Sequence, residues 1–197
     1  MSDDATPWEQ MYREGRTGWD RGGPSPALDE WVTPGGLAGR RVLVPGCGHG
    51  YEVEALARAG ARVTALDLAA TPIECLRKRL AEAGLAADLV QTDVLAWEPE
   101  RPFAAIYEQT CLCALPPSRW TDYARRLWRW LEPRGTLFAL FMQTGRAGGP
   151  PFHCALEAMR GLFPEGPWHW LDGEPLEVPH PNGLWELGYR LQARKEV

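Results

Sequence analysis

The chain has 197 residues, 45% of them hydrophobic and 24% charged, which fits one globular domain and argues against disorder and coiled coils. Its formal net charge of −5 argues against an electrostatic nucleic-acid binder, and the longest apolar run, residues 137–142, is too short to cross a bilayer. The acidic start at residues 1–4 has no apolar stretch behind it, unlike a secretory signal. Five cysteines without framework spacing are typical of a reducing compartment. We therefore expect one cytoplasmic domain over residues 1–197, without nucleic-acid or membrane partners, and we favour a monomer.

Two short helices are predicted at the start of the chain. Thr6–Glu9 has the pattern of a capping box with Pro7 at the first helical position, and this helix should stop by Gly15. Ser25–Trp31 predicts a second helix, which a turn at 33–36 breaks. Residues 1–36 are therefore expected to form a helical cap and not a separate domain.

Residues 37–197 alternate between strand and helix patterns and form the expected α/β core. In chain order the prediction is strand 41–44, helix 51–59, strand 61–66, helix 71–83 with Thr71 as its cap, strand 89–92, strand 103–107, helix 118–131, strand 136–142 and helix 152–162. Aromatic residues that alternate with others at 168–170 and 185–191 predict an antiparallel hairpin at one edge. The expected fold class is a doubly wound α/β fold with a mostly parallel, seven-stranded sheet.

A glycine-rich loop, Gly46-Cys47-Gly48-His49-Gly50, lies between the first core strand and its helix. A loop of this kind lets a ligand approach the backbone near the switch point of an open α/β sheet, although many loops that enter a helix are also rich in glycine. Asp67 ends the next strand, where a carboxylate can accept both hydroxyls of a ribose. The alternative is that Asp67 caps the following helix, a role that the sequence assigns to Thr71.

The acidic and glycine residues favour one of two cofactors. Asp93 ends the third strand beside the apolar Val94, which suits an adenine edge, and a turn role for Asp93 is the equal alternative. Nicotinamide sites use Gly-x-Gly-x-x-Gly so that a helix N-terminus receives a pyrophosphate. This chain has Gly-x-Gly-x-Gly, and S-adenosylmethionine carries no phosphate. The pattern therefore favours S-adenosylmethionine as the cofactor.

With these features the chain resembles the class I S-adenosylmethionine-dependent methyltransferases. More narrowly, it resembles the thiopurine S-methyltransferase superfamily and its thiol and halide methyltransferase branch. The residues that support this resemblance extend over nearly the whole chain: Trp8, Tyr12, Trp19, Val44-Pro45-Gly46-Cys47-Gly48, Asp67, Tyr107-Glu108, Cys113-Ala114-Leu115 and Gly148-Gly149-Pro150-Pro151-Phe152.

The resemblance implies a Rossmann-like fold and assigns residues to two sites. The cofactor-binding residues are expected to be Trp8, Trp19, Gly46, Cys47, Gly48, Asp67, Leu68, Asp93, Val94 and Gln109. The acceptor pocket is expected to contain Tyr12, Gln109, Cys111, Cys113, Arg146, Phe152 and His153. Tyr12 stands where the branch usually has tryptophan, and Gln109 where relatives carry arginine or tyrosine, so the identity of the acceptor stays open.

Several of these residues have a second interpretation. An aromatic face attracts the cationic sulfonium of the donor, which gives Trp8 and Trp19 a physical role, whereas Trp8 also suits an ordinary helix core. Cys111 and Cys113 have neither zinc nor redox spacing, so we expect no metal. His153 is either a pocket base or, as we favour, the first turn of a helix, and Arg146 either attracts an anion or is a solvated loop residue.

The expected function is methyl transfer from S-adenosylmethionine, by direct in-line displacement, to a small soft nucleophile. Thiols, thiopurines, thiocyanate, halides and selenium or tellurium species belong to this class of acceptor. Around residues 108–115 and 144–152 no pair of side chains has the pattern of a base and its orienting partner, so we expect no catalytic base. The alternatives are a nicotinamide-dependent oxidoreductase and a non-catalytic adenosine-binding relative.

Overall fold

The computed structural model describes residues 5–32, 36–180 and 182–195. The turn predicted at 33–36 lies mostly outside these residues, and so does the side chain of Thr6 with its predicted cap. The chain divides into two compact units, residues 1–97 and residues 98–197. The expectation of a single domain stays a prediction, and the two units are described in turn.

The first unit contains four helices and three strands within the described residues. They are α1 (Ala5–Arg13), α2 (Pro26–Trp31), β1 (Arg41–Pro45), α3 (Tyr51–Arg58), β2 (Arg62–Asp67), α4 (Ala70–Glu82) and β3 (Asp88–Gln91). The strands pair in parallel in the order β3-β2-β1, with Val44 opposite Ala65 and Leu66 opposite Val90. This alternation confirms the predicted elements to within a few residues at each end.

Local chemistry explains where these elements begin. Helix α2 begins at Pro26 because the hydroxyl oxygen of Ser25 accepts a hydrogen bond from the backbone N–H of Ala27. Strand β2 has an unbroken row of buried residues after Arg62, as expected for a strand in a parallel sheet that is covered on both faces.

The predicted cap of α4 is wrong, and the correction links two helices. Helix α4 begins at Ala70, so Thr71 lies inside its first turn and does not cap it. The backbone N–H and hydroxyl of Thr71 donate instead to the carboxylate of Glu9 on α1, at 3.0 and 2.8 Å. Glu9 therefore satisfies an N–H at the start of α4, where the helix dipole also favours a negative charge.

The second unit contains five strands, three α-helices and one 3₁₀ turn within the described residues. They are β4 (Phe103–Gln109), α5 (Cys111–Ala114), the 3₁₀ turn Pro117–Arg119, α6 (Trp120–Trp130), β5 (Leu131–Gln143), α7 (Leu156–Leu162), β6 (Trp168–Trp170), β7 (Leu176–Pro179) and β8 (Trp185–Ala193). Strands β4 and β5 are parallel, and β8 runs antiparallel to β5, β6 and β7.

Several details of this unit differ from the prediction. Strand β5 begins at Leu131 and not at Thr136, so it starts inside the predicted helix 118–131. The described residues form eight strands and not seven, because the proline-rich stretch contains β7, which pairs with β8. Helix α7 begins at Leu156 and not at Phe152, so His153 is not in its first turn. In β8, Trp185 is 45% exposed whereas Glu186 is fully buried, although alternation predicted the opposite faces.

No helix in the part of the chain that the structure describes is long and apolar enough to span a membrane.

Candidate functional site

The loop after β1 depends on glycine. Gly46 and Gly48 have φ angles of 58° and 52°, in the left-handed region that favours glycine. A Cβ atom on Gly48 would lie 2.9 Å from the hydroxyl oxygen of Tyr12, closer than side chains normally approach. The loop therefore needs glycine at position 48 for its conformation and for its contact with α1.

Asp67 fastens this loop to the end of β2. The residue is 8% exposed, and its two carboxylate oxygens accept from the backbone N–H of Gly48 at 2.8 Å and of Ala69 at 2.9 Å. Burial raises the pKa of Asp67, while the N–H groups of Ala69, Gly48 and Leu68 act in the opposite direction. Asp67 therefore also acts at the start of α4, as its alternative predicted role required, because it accepts the N–H of Ala69, the residue before that helix.

Asp67 still has capacity for a ligand. An ionised carboxylate offers about four acceptor positions. Its hydrogen bonds to the backbone fix its orientation without using all of these positions, so hydroxyl groups can also bind to it.

Three aromatic residues of the cap pack together beside the glycine loop. The rings of Trp8 and Tyr12 each meet the ring of Trp19 edge to face, with centroids 5.3 and 5.5 Å apart. The indole N–H of Trp19 donates to the hydroxyl oxygen of Tyr12 at 3.3 Å, and the Tyr12 ring also contacts His49 of the loop. Burial raises the pKa of Tyr12, and the charge of Asp67 adds to this effect, so Tyr12 stays neutral.

Two polar residues that have no signal in the sequence also hold the loop. A carboxylate oxygen of Asp20 lies 3.5 Å from Nε2 of His49, and the guanidinium of Arg79 on α4 donates to the backbone oxygen of His49 at 2.6 Å. Neither residue stands in a motif, so only the fold brings them to the loop.

Asp93 makes the turn that was one of its two predicted roles. A side-chain oxygen of Asp93 accepts from the N–H of Leu95 at 2.8 Å, and its backbone oxygen accepts from the N–H of Ala96 at 2.9 Å. The neighbouring Val94 is buried. Contact of Asp93 and Val94 with adenine stays a prediction.

In the second unit, the end of β4 carries a buried acid and a strained residue. Glu108 is 1% exposed, and its Oε1 accepts from the N–H of Leu112 at 2.6 Å. Burial raises the pKa of Glu108 to about 7, against hydrogen bonds from the N–H groups of Leu112 and Cys111. Thr110 has a φ of 62°, which is rare for a β-branched residue and marks the sharp turn into α5.

The structure brings several predicted acceptor-pocket residues together around this turn. The backbone N–H of Phe152 donates to the backbone oxygen of Cys113 at 2.7 Å, which joins the Gly-Gly-Pro-Pro-Phe segment to α5. The side-chain amide of Gln109 donates to the carboxylate of Glu186 at 3.2 Å. Glu186 gives no signal in the sequence, because an acidic residue between apolar ones in a strand normally faces solvent.

The cysteines of this region are buried thiols. Burial raises the pKa of Cys113 well above its ordinary value, and neighbouring groups including Cys154 and Glu108 raise it further. Burial likewise raises the pKa of Cys154, with a contribution from Glu108. Both side chains therefore stay protonated near neutral pH and line the region as weakly polar groups.

His153 and Arg146 lie in the segment that follows β5. Nδ1 of His153 accepts from the N–H groups of Thr144 and Gly145, at 3.1 and 3.3 Å, so this nitrogen holds the loop. Arg146 is exposed, and its attraction of an anion stays a prediction.

Solved structures share this fold. Magnesium protoporphyrin IX methyltransferase from Synechocystis PCC 6803, solved with bound S-adenosylmethionine, has a TM-score of 0.78 and 14% identity, covering 99% of both chains. The 1,6-didemethyltoxoflavin-N1-methyltransferase of Burkholderia thailandensis has a TM-score of 0.74 and 21% identity, covering 97% of this chain and 87% of that one. The fold is therefore that of the class I S-adenosylmethionine-dependent methyltransferases.

Sequence relatives narrow this class to a family. The family model described as thiopurine S-methyltransferase matches residues 3–177. Probable thiol methyltransferase 2 of Arabidopsis thaliana is 36% identical over 163 residues, which are 81% of this chain and 72% of the relative. Thiocyanate methyltransferase 1 of Brassica oleracea is 31% identical over 159 residues, which are 79% of this chain and 70% of the relative. The chain belongs to the thiopurine S-methyltransferase family and is an S-adenosylmethionine-dependent methyltransferase, which decides against a nicotinamide-dependent oxidoreductase.

Proposed function

We propose that this enzyme methylates a small soft nucleophile, with a sulfur compound as its principal acceptor. The observation that carries the proposal is the 36% identity with a probable thiol methyltransferase over 81% of the chain. A second relative, at 31% identity, is named for thiocyanate, another small sulfur compound.

The first unit fits S-adenosylmethionine by the chemistry of its groups. Asp67 is a buried carboxylate with acceptor positions left for the ribose hydroxyls, and the loop beside it exposes glycine backbone to the methionine part. Trp8 and Trp19 offer aromatic faces to a sulfonium cation. No group in this set requires a phosphate, which agrees with a donor that has none.

When bound, S-adenosylmethionine supplies a methyl group on a sulfonium that is already an activated leaving group. The residues around the donor therefore contribute by binding and alignment. Asp67 fixes the position of the loop, and the aromatic residues of the cap exclude water from a cation. Positioning of this kind supplies up to about 7–11 kcal/mol in favourable intramolecular reactions.

For the acceptor we propose the region around Gln109, Cys113 and Phe152, which hydrogen bonds hold in one place. The buried, weakly polar thiols and the Phe152 ring suit a small polarizable group. We further propose a cytoplasmic location, which fits five cysteines without the spacing of a disulfide framework.

The test is an acceptor panel with the purified enzyme and S-adenosylmethionine. Ethanethiol, a thiopurine, thiocyanate, iodide and hydrosulfide are compared with an amine and a phenol of similar size. Methylation of sulfur acceptors in preference to the amine and the phenol supports the proposal, and a preference for oxygen or nitrogen contradicts it. Thermal shift with S-adenosylhomocysteine in the same preparation reports whether the donor site is formed.

A further inference from the structure

The carboxyl group of Glu108 has one oxygen that is engaged and one that is not. Oε1 accepts from the backbone N–H of Leu112, which fixes the carboxyl group at the start of α5. Oε2 is buried and has no hydrogen-bond partner among the residues that the structure describes. An unsatisfied buried carboxylate oxygen is costly, and such an atom inside a predicted acceptor region indicates a place for a ligand's proton donor.

The groups that surround Glu108 are weak acids. They are Cys111 and Cys113 on α5, Tyr123 on α6 and Cys154 before α7. The charge of Glu186 on β8 also raises the pKa of Cys113 and Cys154. Burial raises the pKa of Cys113, Cys154 and Tyr123, and the charge of Glu108 adds to each effect. These three residues therefore stay protonated and do not compete with Glu108 as bases.

Compared with Cys113, Cys154 and Tyr123, Glu108 is suited to proton transfer at neutral pH. Burial raises its pKa to about 7, where a general base is both ionised to a useful extent and strong enough to accept a proton. The N–H groups of Leu112 and Cys111 set the position of the carboxyl group, so Oε2 stays oriented without a partner of its own among the described residues.

We propose that Glu108 is a catalytic base for a neutral thiol, so that the preferred acceptor enters as R–SH and not as a preformed anion. This inference rests on the proposed function, because it concerns how the same site takes up a sulfur acceptor. It also defines specificity: a buried acid of this kind disfavours an anion such as thiocyanate and accepts a neutral donor of a hydrogen bond.

Deprotonation of the thiol and methyl transfer to its sulfur need no reactant besides the acceptor and the donor. The thiol passes its proton to Oε2 of Glu108 and uses the electron pair so released to bond to the methyl carbon. The bond between that carbon and the sulfonium sulfur breaks, and its electron pair neutralises the sulfonium. The products are a methyl thioether, S-adenosylhomocysteine and protonated Glu108, which then releases its proton to solvent.

The first experiment compares Glu108→Gln with wild type on ethanethiol, which has a proton to lose, and on thiocyanate, which has none. The glutamine retains an Oε1 acceptor for Leu112, and Glu157→Gln, the same change on the exposed face of α7, is the matched control. We expect Glu108→Gln to lower kcat/KM for ethanethiol about 100- to 10,000-fold, the range of general base catalysis. For thiocyanate we expect kcat/KM to be the same or higher, because the acid that disfavours the anion has been replaced. Equal losses on both acceptors would show a merely structural role.

The second experiment needs no variant and so does not depend on whether Glu108→Gln folds. The rates of wild type on ethanethiol and on the more acidic 2,2,2-trifluoroethanethiol are measured against pH, and side-chain carboxyl groups are titrated by ¹³C NMR without donor. We expect the ascending limb to have its midpoint near pH 7 for both thiols, matching one NMR titration. Midpoints that follow the acidity of each thiol would overturn the proposal.

These outcomes separate the two proposals. An enzyme that methylates no sulfur compound fails the proposed function itself. An enzyme that methylates thiols with midpoints set by the thiols keeps the proposed function and loses Glu108 as its base.

Discussion

Two acids at the ends of parallel strands, Asp67 in the first unit and Glu108 in the second, show opposite arrangements. Both are buried, and burial raises the pKa of both. Both oxygens of Asp67 accept backbone N–H groups, from Gly48 and Ala69. In Glu108 only Oε1 is held in this way, and Oε2 has no partner within the described part of the chain.

This difference distinguishes an acid that positions from an acid that reacts. An acid with both oxygens held by backbone groups fixes a loop, and a ligand can only add to its hydrogen bonds. An acid with one held oxygen keeps its orientation and still has a free position for a proton. Substitutions at Asp67 and Glu108 test this distinction and have the largest expected effects, and substitutions at Trp19 and Thr71 test the cap of the first unit.

Asp67→Ala should have the largest effect, because it removes the acceptors of two buried N–H groups. We expect the free energy of unfolding to fall by about 1–3 kcal/mol for each unsatisfied N–H group. We also expect the binding free energy of the donor to weaken by about 1–3 kcal/mol. Urea denaturation and calorimetry with S-adenosylhomocysteine measure the two quantities. Asp67→Asn, which keeps one acceptor oxygen, should lose less of each. A folded Asp67→Ala protein with unchanged affinity would remove Asp67 from the donor site.

Glu108→Gln should change the dependence of stability on pH. The folded-state pKa of Glu108, about 7, lies above its ordinary value of 4.5, so the folded protein holds this proton more tightly than the unfolded chain. The stability from this group is present below about pH 4.5 and is lost as the pH rises through about 7. We therefore expect the stability of Glu108→Gln relative to wild type to increase by about 2–3 kcal/mol from pH 5 to pH 8. Denaturation at both pH values measures it, and parallel curves for the two proteins would show that Glu108 does not titrate in this range.

Trp19→Ala should weaken binding of the cationic donor more than binding of its neutral product. An aromatic face contributes about 0.5–2 kcal/mol to a nearby cation, and S-adenosylhomocysteine has the same adenosine and amino acid without the sulfonium charge. Calorimetry with both ligands separates the cation effect from general packing. Equal losses would mean that Trp19 only supports the fold of the cap around Tyr12.

Thr71→Val should loosen the cap, with the smallest effect on stability. It removes the hydroxyl that donates to Glu9 at 2.8 Å, a hydrogen bond worth about 0.5–1.5 kcal/mol. We expect faster proteolysis within residues 1–36, and protection when S-adenosylhomocysteine is bound. Thr121→Val, at an exposed position of α6, is the matched control. Cleavage that ignores both the substitution and the ligand would argue against a closing cap.

The order and type of the core elements could be predicted from the sequence because their signals are local. Serine and proline at 25–26 set the start of α2, and short, mostly apolar runs that contain valine identify β1 and β2. The four-residue strand β7 has too few residues to show a strand pattern, and it forms by pairing with β8.

The candidate site was predictable where its residues stand in motifs. The glycine loop and Asp67 have a spacing that follows from the strand–loop–helix geometry, and the structure places them in direct hydrogen-bond contact. Glu186, Asp20 and Arg79 stand in no motif, and only long-range pairing brings them to Gln109 and His49.

The sequence by itself determined the α/β alternation, the loop and the family, since each is written in neighbouring residues. Only the tertiary structure decided what the buried acids do. Whether Glu9 caps its own helix or α4, and whether an oxygen of Glu108 has a partner, depends on which groups the fold brings within 3 Å. Hydrogen bonding and desolvation depend on which groups are close in space, and a local pattern of residues does not predict neighbours that are distant in the sequence.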